Sequence, residues 1–476
     1  MISTDRMAAV DRNAAALGVP RKQLMESSGN AIAREVRRLA GDDDGVAVVA
    51  GRGNNGGDAL VATRFLDDME VTVHLLGRPE SIRTDIAREN WAALREAEYD
   101  THVVRDSRAL DLGSPGLVID ALLGTGIAGA PREPEASAIE AINDSGATVL
   151  SVDVPSGIDG DTGEAAGVAV DAERVVTFHD EKPGLGSLGA EVAVADIGIP
   201  EAAERFVGPG DLLALGRDPG SHKGDHGRIL VIGGGPYAGA PALSGQAALR
   251  AGADLAYVAV PDAVADTVQG YAEDLIVERY EGERLRPTQV DFLLDRASER
   301  DVVLVGPGLG DAPETLDAVR EFLGSYGGRA VVDADALAVV PDVSTDATLV
   351  CTPHGGELVE MGGPGETDPR DRAGAVEAFA ADLGCTLLVK GSRDVISDGE
   401  TTRMNRTGNA GMTVGGTGDV LAGVTGALLA TNEPLQAAAI AAYANGRAGD
   451  LVLEERDSGL LASDLLDRLP EAMRDA

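Results

Sequence analysis

Along the chain, short uninterrupted apolar runs alternate with segments whose apolar residues recur every three or four positions. Roughly the first 40 residues place Leu17, Leu24, Ile32, Val36 and Leu39 on helical spacings and predict helix. After a GDDDG turn comes VAVVA (Val46–Ala50), too short for a helix and therefore a buried strand. A glycine loop and the helix-like DALVATRFLDD follow it. EVTVHLL, GLVIDALL and ATVLSVDV are further strands with helical stretches between them, and RVVTFH and EVAVADIGI close the series. Strands apolar on both faces that alternate with helices predict a parallel sheet covered by helices on each side.

The pattern breaks at residues 207–227, VGPGDLLALGRDPGSHKGDHG, which is rich in turn formers and reads as a linker. A second series starts with RILVIGGG, continues through helical ALSGQAALRAG, and adds strands ADLAYVAV, DVVLVG, RAVVDA, ATLVC and CTLLVK. From Gly418 onward nearly everything is helix. The length of 476 residues exceeds one ordinary core. The expected organisation is two three-layer α/β/α domains, 1–212 and 213–476.

Composition narrows the class. A formal charge of −39 argues against nucleic acid, whose binding needs clustered cations. The acid is spread along the chain between apolar segments, so disorder is a poor reading. The four lysines are Lys22, Lys182, Lys223 and Lys390, which leaves 36 of the 40 basic residues to arginine. An acidic, lysine-poor surface resembles that of halophile cytosolic proteins. A lysine kept against such a bias is expected to have a task. Two cysteines, Cys351 and Cys385, make no disulfide framework, and the start of the chain lacks a signal pattern. No apolar run approaches the roughly 18 residues of a membrane span. The expectation is a soluble cytoplasmic protein without membrane or nucleic-acid partners.

GRGNNGGDA (Gly51–Ala59) follows a strand and opens a helix, at the sheet edge where open α/β folds bind ligands. Its glycines admit a phosphate close to the backbone, Asn54 and Asn55 add amide groups, and Asp58 offers a carboxylate to a hydroxyl. A tight turn with asparagine in left-handed positions is the bland alternative. LLGTGIAGAP (Leu122–Pro131) gives a second glycine loop at the same edge, and SVDVPSGID (Ser151–Asp159) adds Asp153 and Ser156. Asn55, Asp120 and Ser156 are hard oxygen donors suited to an alkali or alkaline-earth cation, with a strand-end cap the competing role for Asp120.

Together, GRGNNGGD, LGTG and DVPSGID resemble the N-terminal, Rossmann-like domain of the NAD(P)H-hydrate repair enzymes, which epimerises the R and S forms of hydrated nicotinamide nucleotides. The resemblance implies that Asn54, Asn55, Gly56, Gly57 and Asp58 hold the dinucleotide together with Gly124, Thr125, Gly126, Ile127, Ala128, Gly129 and Ala130. It also implies Asp153 beside the damaged ring and potassium on Asn55, Asp120 and Ser156. TFHDEKPGL matches a further stretch of that family and accounts for Lys182. Some relatives carry a basic residue in the LGTGIAGA loop; this chain has only small ones there, which favours Asp153 as the acid–base group. Ring opening and loss and return of the substituent remain open as routes.

In the second series VLVGPGLG and VVDADAL end strands in glycine or acid, CTPHGGE offers His354, and LLVKGSRDVI puts Lys390 at a strand end beside Gly391 and Ser392. NRTGNAGMTVGGTGDVLAG resembles the phosphate-binding loop of the ribokinase superfamily, in which a helix mouth holds the moving phosphoryl group and the Asp acts as base. An N-cap is the alternative role for Asp419. The positive helix end is expected to keep that carboxylate ionised.

HKGDHG, GPGLG, TPHGGE, VKGS and GNAGMTVGGTGD together look like the ADP- or ATP-dependent NAD(P)H-hydrate dehydratase branch of that superfamily. Gly355 and Ala410 stand where prolines are common. The resemblance implies substrate contacts at Ala240, Gly308, His354 and Asp419. It places the adenine nucleotide on Lys390, Gly391, Ser392, Arg393, Asp394 and Gly418, with magnesium on the nucleotide phosphates. It further implies NADHX and NADPHX as substrates, ADP as donor, and a homo-oligomer. The competing readings are a sugar, pyrimidine or vitamin kinase fused to an unrelated nucleotide-binding domain, and a nonenzymatic nucleotide sensor.

At about 1 M salt the Debye length is about 3 Å, so self-repulsion of so acidic a surface is screened. Dialysis to low salt is therefore expected to loosen or unfold the chain, read as lost far-UV circular dichroism. Undiminished stability there removes the halophile reading.

Overall fold

The computed structural model describes all residues except 42–44, 127–128, 218, 366–368, 457 and 475–476. The chain forms two compact units, Met1–Ala203 and Glu204–Ala476.

In the first unit β1 (Val46–Ala50), β2 (Val71–Leu76), β3 (Thr101–Val104), β4 (Leu117–Ala121), β5 (Thr148–Val152), β6 (Arg174–Phe178) and β7 (Glu191–Ala195) form one sheet, ordered β3-β2-β1-β4-β5-β6-β7. Every adjacent pair is parallel. Strands β1, β4 and β6 are buried along their whole length, β4 with Asp120 and β6 with Arg174 and Thr177 among their apolar residues. The N-terminal helical segment is two helices, Thr4–Ala16 and Arg21–Leu39, separated where Gly18 takes φ +92° and Pro20 follows. β3 was not expected. It is an edge strand reading THVV with His102 and Val103 exposed, so it carries no apolar signature.

The second unit holds β8 (Arg228–Ile232), β9 (Leu255–Pro261), β10 (Leu275–Tyr280), β11 (Val302–Val305), β12 (Arg329–Val332), β13 (Thr348–Cys351), β14 (Thr386–Val389), β15 (Asp394–Ser397) and β16 (Thr402–Asn405). Their order is β10-β9-β8-β11-β12-β13-β14-β15-β16, parallel except for the last two pairs. β10, β15 and β16 also went unpredicted. All three lie toward the sheet margins and mix charged with apolar residues, as in LIVERY and TTRMN. With aromatics at only 3%, the core relies on close backbone approach. Helix Thr417–Leu429 lies against helix Gly239–Arg250 so tightly that a Cβ on Gly423 would stand 2.1 Å from the Ser244 carbonyl oxygen. Among the described residues no helix is long and apolar enough to cross a membrane.

The boundary between units falls at 203/204, nine residues before the expected 212/213, and the cause is packing. Val207 and Leu212 join the core of the second unit. The Val207 N–H donates to the Met404 carbonyl at 2.9 Å, and buried Asp211 receives the Arg403 guanidinium at 3.0 and 3.1 Å. The turn-rich composition there describes a segment strapped onto the second unit, and not a free linker.

A fragment of residues 204–476 should therefore outlast one of residues 213–476 in urea. Cutting away Asp211 removes the carboxylate from a buried guanidinium, a loss of about 3–5 kcal/mol for a broken buried pair. Equal midpoints would show that the strap contributes nothing.

Candidate active sites

The first sheet reverses its order between β1 and β4, and the crevice there lies beyond the strand carboxyl ends. The chain leaves both strands so closely that a Cβ on Gly51 would stand 2.0 Å from the Leu122 carbonyl oxygen, which only glycine tolerates. Helix Asn54–Arg64 begins immediately after, and a cavity of about 440 Å³ opens beneath the two loops. Asn54, Asn55, Asp58, Gly124, Thr125, Gly126 and Asp153 of the expected set line it. Gly56 and Gly57 are buried instead: a Cβ on Gly57 would meet Met25 and Ala87 at about 3 Å. Gly129 lines a neighbouring hollow of about 240 Å³, Ala130 is exposed, and Ile127 and Ala128 fall outside the described residues.

Asp153 ends β5 in the left-handed region, φ +66°, a conformation rare for a residue with a side chain. Its Oδ1 accepts from Lys182 Nζ at 2.8 Å and from Thr177 Oγ1 at 3.1 Å. Lys182 is 1% exposed, and its ammonium donates also to Thr177 Oγ1 at 2.9 Å and the Phe178 carbonyl at 3.0 Å. Asp58 lies in the same cavity without a hydrogen bond or ion pair among the described residues. Burial, then the charges of Asp153 and Asp11, push its carboxyl well above the usual carboxylate range.

The three expected cation ligands form one network. Asp120, fully buried, accepts from Ser151 Oγ at 2.8 Å, from Ser156 N–H at 2.9 Å and from Ser156 Oγ at 2.6 Å. Asn55 Nδ2 donates to the Leu123 carbonyl at 2.7 Å, while its buried Oδ1 finds no partner. Burial raises the Asp120 carboxyl despite these hydrogen bonds.

The second sheet reverses between β8 and β11, and the same constraint recurs. A Cβ on Gly233 would stand 2.4 Å from the Pro307 carbonyl oxygen, and one on Gly308, at φ +74°, 2.5 Å from that of Tyr237. Ala240 opens the helix that follows β8, and Ser244 in that helix donates through Oγ to the Asp419 carbonyl at 2.9 Å. Gly416, at φ +98°, turns the chain into the helix that presents Asp419 in its first turn. Lys390 at the end of β14 donates through Nζ to Asp333 Oδ1 at 3.0 Å and stands 3.7 Å from Glu357 Oε2. The ammonium also lies 3.4 Å from where a Cβ on Gly418 would be, so it faces the helix mouth. Burial pushes Lys390 down, but Asp333 and Glu357 more than reverse this. It stays charged.

Asp419 corrects the expectation drawn from the helix end. Its carboxyl is pushed up to about 7, first by burial and then by Asp333, and Lys390 offsets this only in part. The helix dipole contributes on the order of 0.3–1 kcal/mol at exposed sites, too little to outweigh desolvation beside a second carboxylate. His354 caps the helix Gly355–Glu360, with Nδ1 accepting the N–H groups of Gly356 and Glu357 at 3.0 and 3.1 Å while the ring stays 59% exposed. Asp394 holds the turn before it, accepting from the Gly391 N–H and from Asn405 Nδ2, both at 3.0 Å. Gly391, Ser392 and Arg393 are exposed.

Lys182, Asp333 and Glu357 belong to these sites though sequence reasoning gave them no role. Lysine scarcity was the signal for the first. Asp333 also accepts from Thr352 Oγ1 at 2.7 Å, a contact that only the pairing of β12 with β13 creates.

Two family descriptions match the chain: NAD(P)H-hydrate dehydratase over residues 229–471, and YjeF-related protein N-terminus over residues 21–184. A bifunctional NAD(P)H-hydrate repair enzyme of Methanothermobacter thermautotrophicus is 43% identical over 98% of this chain and 94% of its own length. One from Pyrobaculum aerophilum is 44% identical over 99% of this chain and 98% of its own. The solved ADP/ATP-dependent NAD(P)H-hydrate dehydratase of Bacillus subtilis, co-crystallised with ATP and Mg2+, superposes with a TM-score of 0.50 at 28% identity, covering 56% of this chain and 97% of that one.

A carboxyl raised by its folded surroundings binds its proton more tightly in the native than in the unfolded chain, so its stabilising share is lost as pH rises through about 7. Asp419→Asn should therefore raise Tm above neutral pH and lose that advantage in acid. A Tm difference independent of pH would show that Asp419 is not desolvated.

Proposed function

The chain belongs to the bifunctional NAD(P)H-hydrate repair enzymes and carries their epimerase and dehydratase domains, and on that footing we propose how its residues share the two reactions. In the dehydratase domain the nucleotide phosphates lie at the mouth of helix Thr417–Leu429 against Lys390. Asp419 takes the proton of the substrate 6-hydroxyl as that oxygen attacks phosphorus. The phosphorylated oxygen then leaves and the dihydronicotinamide is restored. The observation that carries this reading is the Lys390 ammonium held over the helix mouth beside Asp419. Ala240 and Gly308 border the hydrate, and the exposed ring of His354 reaches it. Gly391, Ser392 and Arg393 offer an exposed rim to the adenine nucleotide, with Asp394 fixing their turn. ADP is the donor. Asp333, Glu357 and Asp419 outnumber the one ammonium among them, which suits a cation arriving on the phosphates; nucleotide-borne magnesium neutralises phosphate charge when bound.

In the epimerase domain the asparagines and glycines of residues 54–58 and 124–130 hold the dinucleotide, and Asp153 handles the proton at C6. The orphaned Asn55 Oδ1 and the buried Asp120 carboxylate, with Ser156 between, fit potassium. That ion would supply the positive charge the network lacks. A cytoplasmic, homo-oligomeric enzyme that prefers high salt completes the reading.

Purified protein given mixed NADHX epimers and ADP should convert the whole mixture to NADH, followed by absorbance, and replacing potassium should slow only the R fraction. Asp419→Asn should lose roughly 10²–10⁴-fold in dehydration, and the wild-type rate should fall as pH drops through about 7. Full activity of the variant rules the base role out. Conversion that stops at the S fraction means the N-terminal domain is idle.

A further inference from the structure

Two carboxyls share the epimerase cavity in opposite surroundings. Asp153 is bound to a buried ammonium and to a hydroxyl that itself accepts from that ammonium. Asp58 projects from the first turns of helix Asn54–Arg64 with no cation on it and no hydrogen-bond donor aimed at it among the described residues. Inversion at a hydrated ring carbon needs both kinds of group, one to give a proton and one to take it. Resting on the epimerase reading, we propose that Asp58 is the proton donor and Asp153, fixed by Lys182, the proton acceptor of the N-terminal reaction.

The step balances without any co-reactant. The Asp58 carboxyl gives its proton to the C6 hydroxyl, and the C6–O bond breaks with its electron pair leaving on water. The N1 lone pair closes an N1=C6 bond, which makes C6 planar. A water adding to the opposite face re-forms C6–O as the pair returns to N1, and its surplus proton passes to the Asp153 carboxylate. One water leaves, one enters, and the proton returns to Asp58 through solvent. The Lys182 and Thr177 contacts hold the Asp153 Oδ1 in place between turnovers. Burial and the neighbouring charges of Asp153 and Asp11 raise the proton affinity of the Asp58 carboxyl.

The remaining charged groups lining the cavity are Arg21, Arg52, Arg83 and Glu135. Arg52 is occupied by Glu135 at 3.0 Å, and Arg21 acts mainly on Asp11, whose carboxyl burial raises and Arg21 lowers. None of them gives Asp58 the counter-ion that Asp153 has. Asp11 comes from helix Thr4–Ala16, ahead of residue 21 where the matched N-terminal family region begins, so this chain adds a carboxylate to the cavity from outside that region.

The test uses the full chain without ADP and follows conversion of separated R-NADHX to S-NADHX by chromatography across pH, in ordinary and in ¹⁸O-labelled water. The proton-donating form of Asp58 is lost as pH rises, so the wild-type rate should fall on the alkaline side, with one labelled oxygen gained per inversion. Asp58→Asn should lower kcat by roughly 10²–10⁴-fold with little change in KM, abolish the alkaline limb, and keep Tm at or above wild type. Asp11→Asn, which removes a repelling charge, should move the limb to lower pH; this variant keeps the assignment testable if Asp58→Asn fails to fold. A raised KM with kcat and limb unchanged would make Asp58 a binding group only and overturn the proposal, as would an Asp11→Asn limb that stays put or inversion without label. A wild-type chain that cannot interconvert the epimers at all overturns the epimerase reading and this assignment with it.

Discussion

A parallel sheet sends all its strand ends to one edge, and wherever the strand order reverses, two chains leave neighbouring strands in opposite directions. That constraint organises both halves of this molecule. At β1/β4 and at β8/β11 the departing backbones come within a side chain's width of each other. Gly51 faces the Leu122 carbonyl, Gly233 that of Pro307, and Gly308 that of Tyr237, so a methyl group at any of these would force the strands apart. The crevice and the helix mouths beside it exist because glycine occupies those positions.

The two sites also share an electrostatic scheme. Each holds one lysine bound to one aspartate, buried Lys182 to Asp153 and half-buried Lys390 to Asp333. Each sets a second aspartate nearby without an ammonium of its own. Desolvation then shifts the carboxyl of Asp58 or Asp419 upward, while its neighbour is held by the ammonium. Such an arrangement costs stability, because a carboxyl shut away from water without a counter-ion favours the unfolded chain above its ordinary titration range. Enzymes commonly accept that cost at reacting centres.

Much of this was legible in the residues. VAVVA, GLVIDALL and RVVTFH are mostly apolar on both faces, and buried strands of a parallel sheet need such runs. The glycine loops identify their own positions because few other residues fit there. The edge strands THVV and TRMN were not legible, since each is short and mixes polar with apolar residues, and hydrogen bonding to a neighbour, not local pattern, defines them. The segment at 207–215 misled for a related reason: its glycines and prolines signal turns, whereas Asp211 and Arg403, which meet in the fold, stand 192 positions apart in sequence. The state of Asp419 was hidden for the same cause. Local sequence shows the helix end, but the charge that counts against it, Asp333, arrives from another strand.

The lysine economy has a practical side. Two of the four ε-amino groups are sequestered against carboxylates. That leaves Lys22, itself matched with Glu89 on the outside, and exposed Lys223 as the side-chain amines open to solvent. Reagents that acylate lysine side chains have two exposed targets on the folded molecule, Lys22 and Lys223. Dense conjugation, cross-linking or surface immobilisation has far more carboxyl and guanidinium groups to draw on than amines.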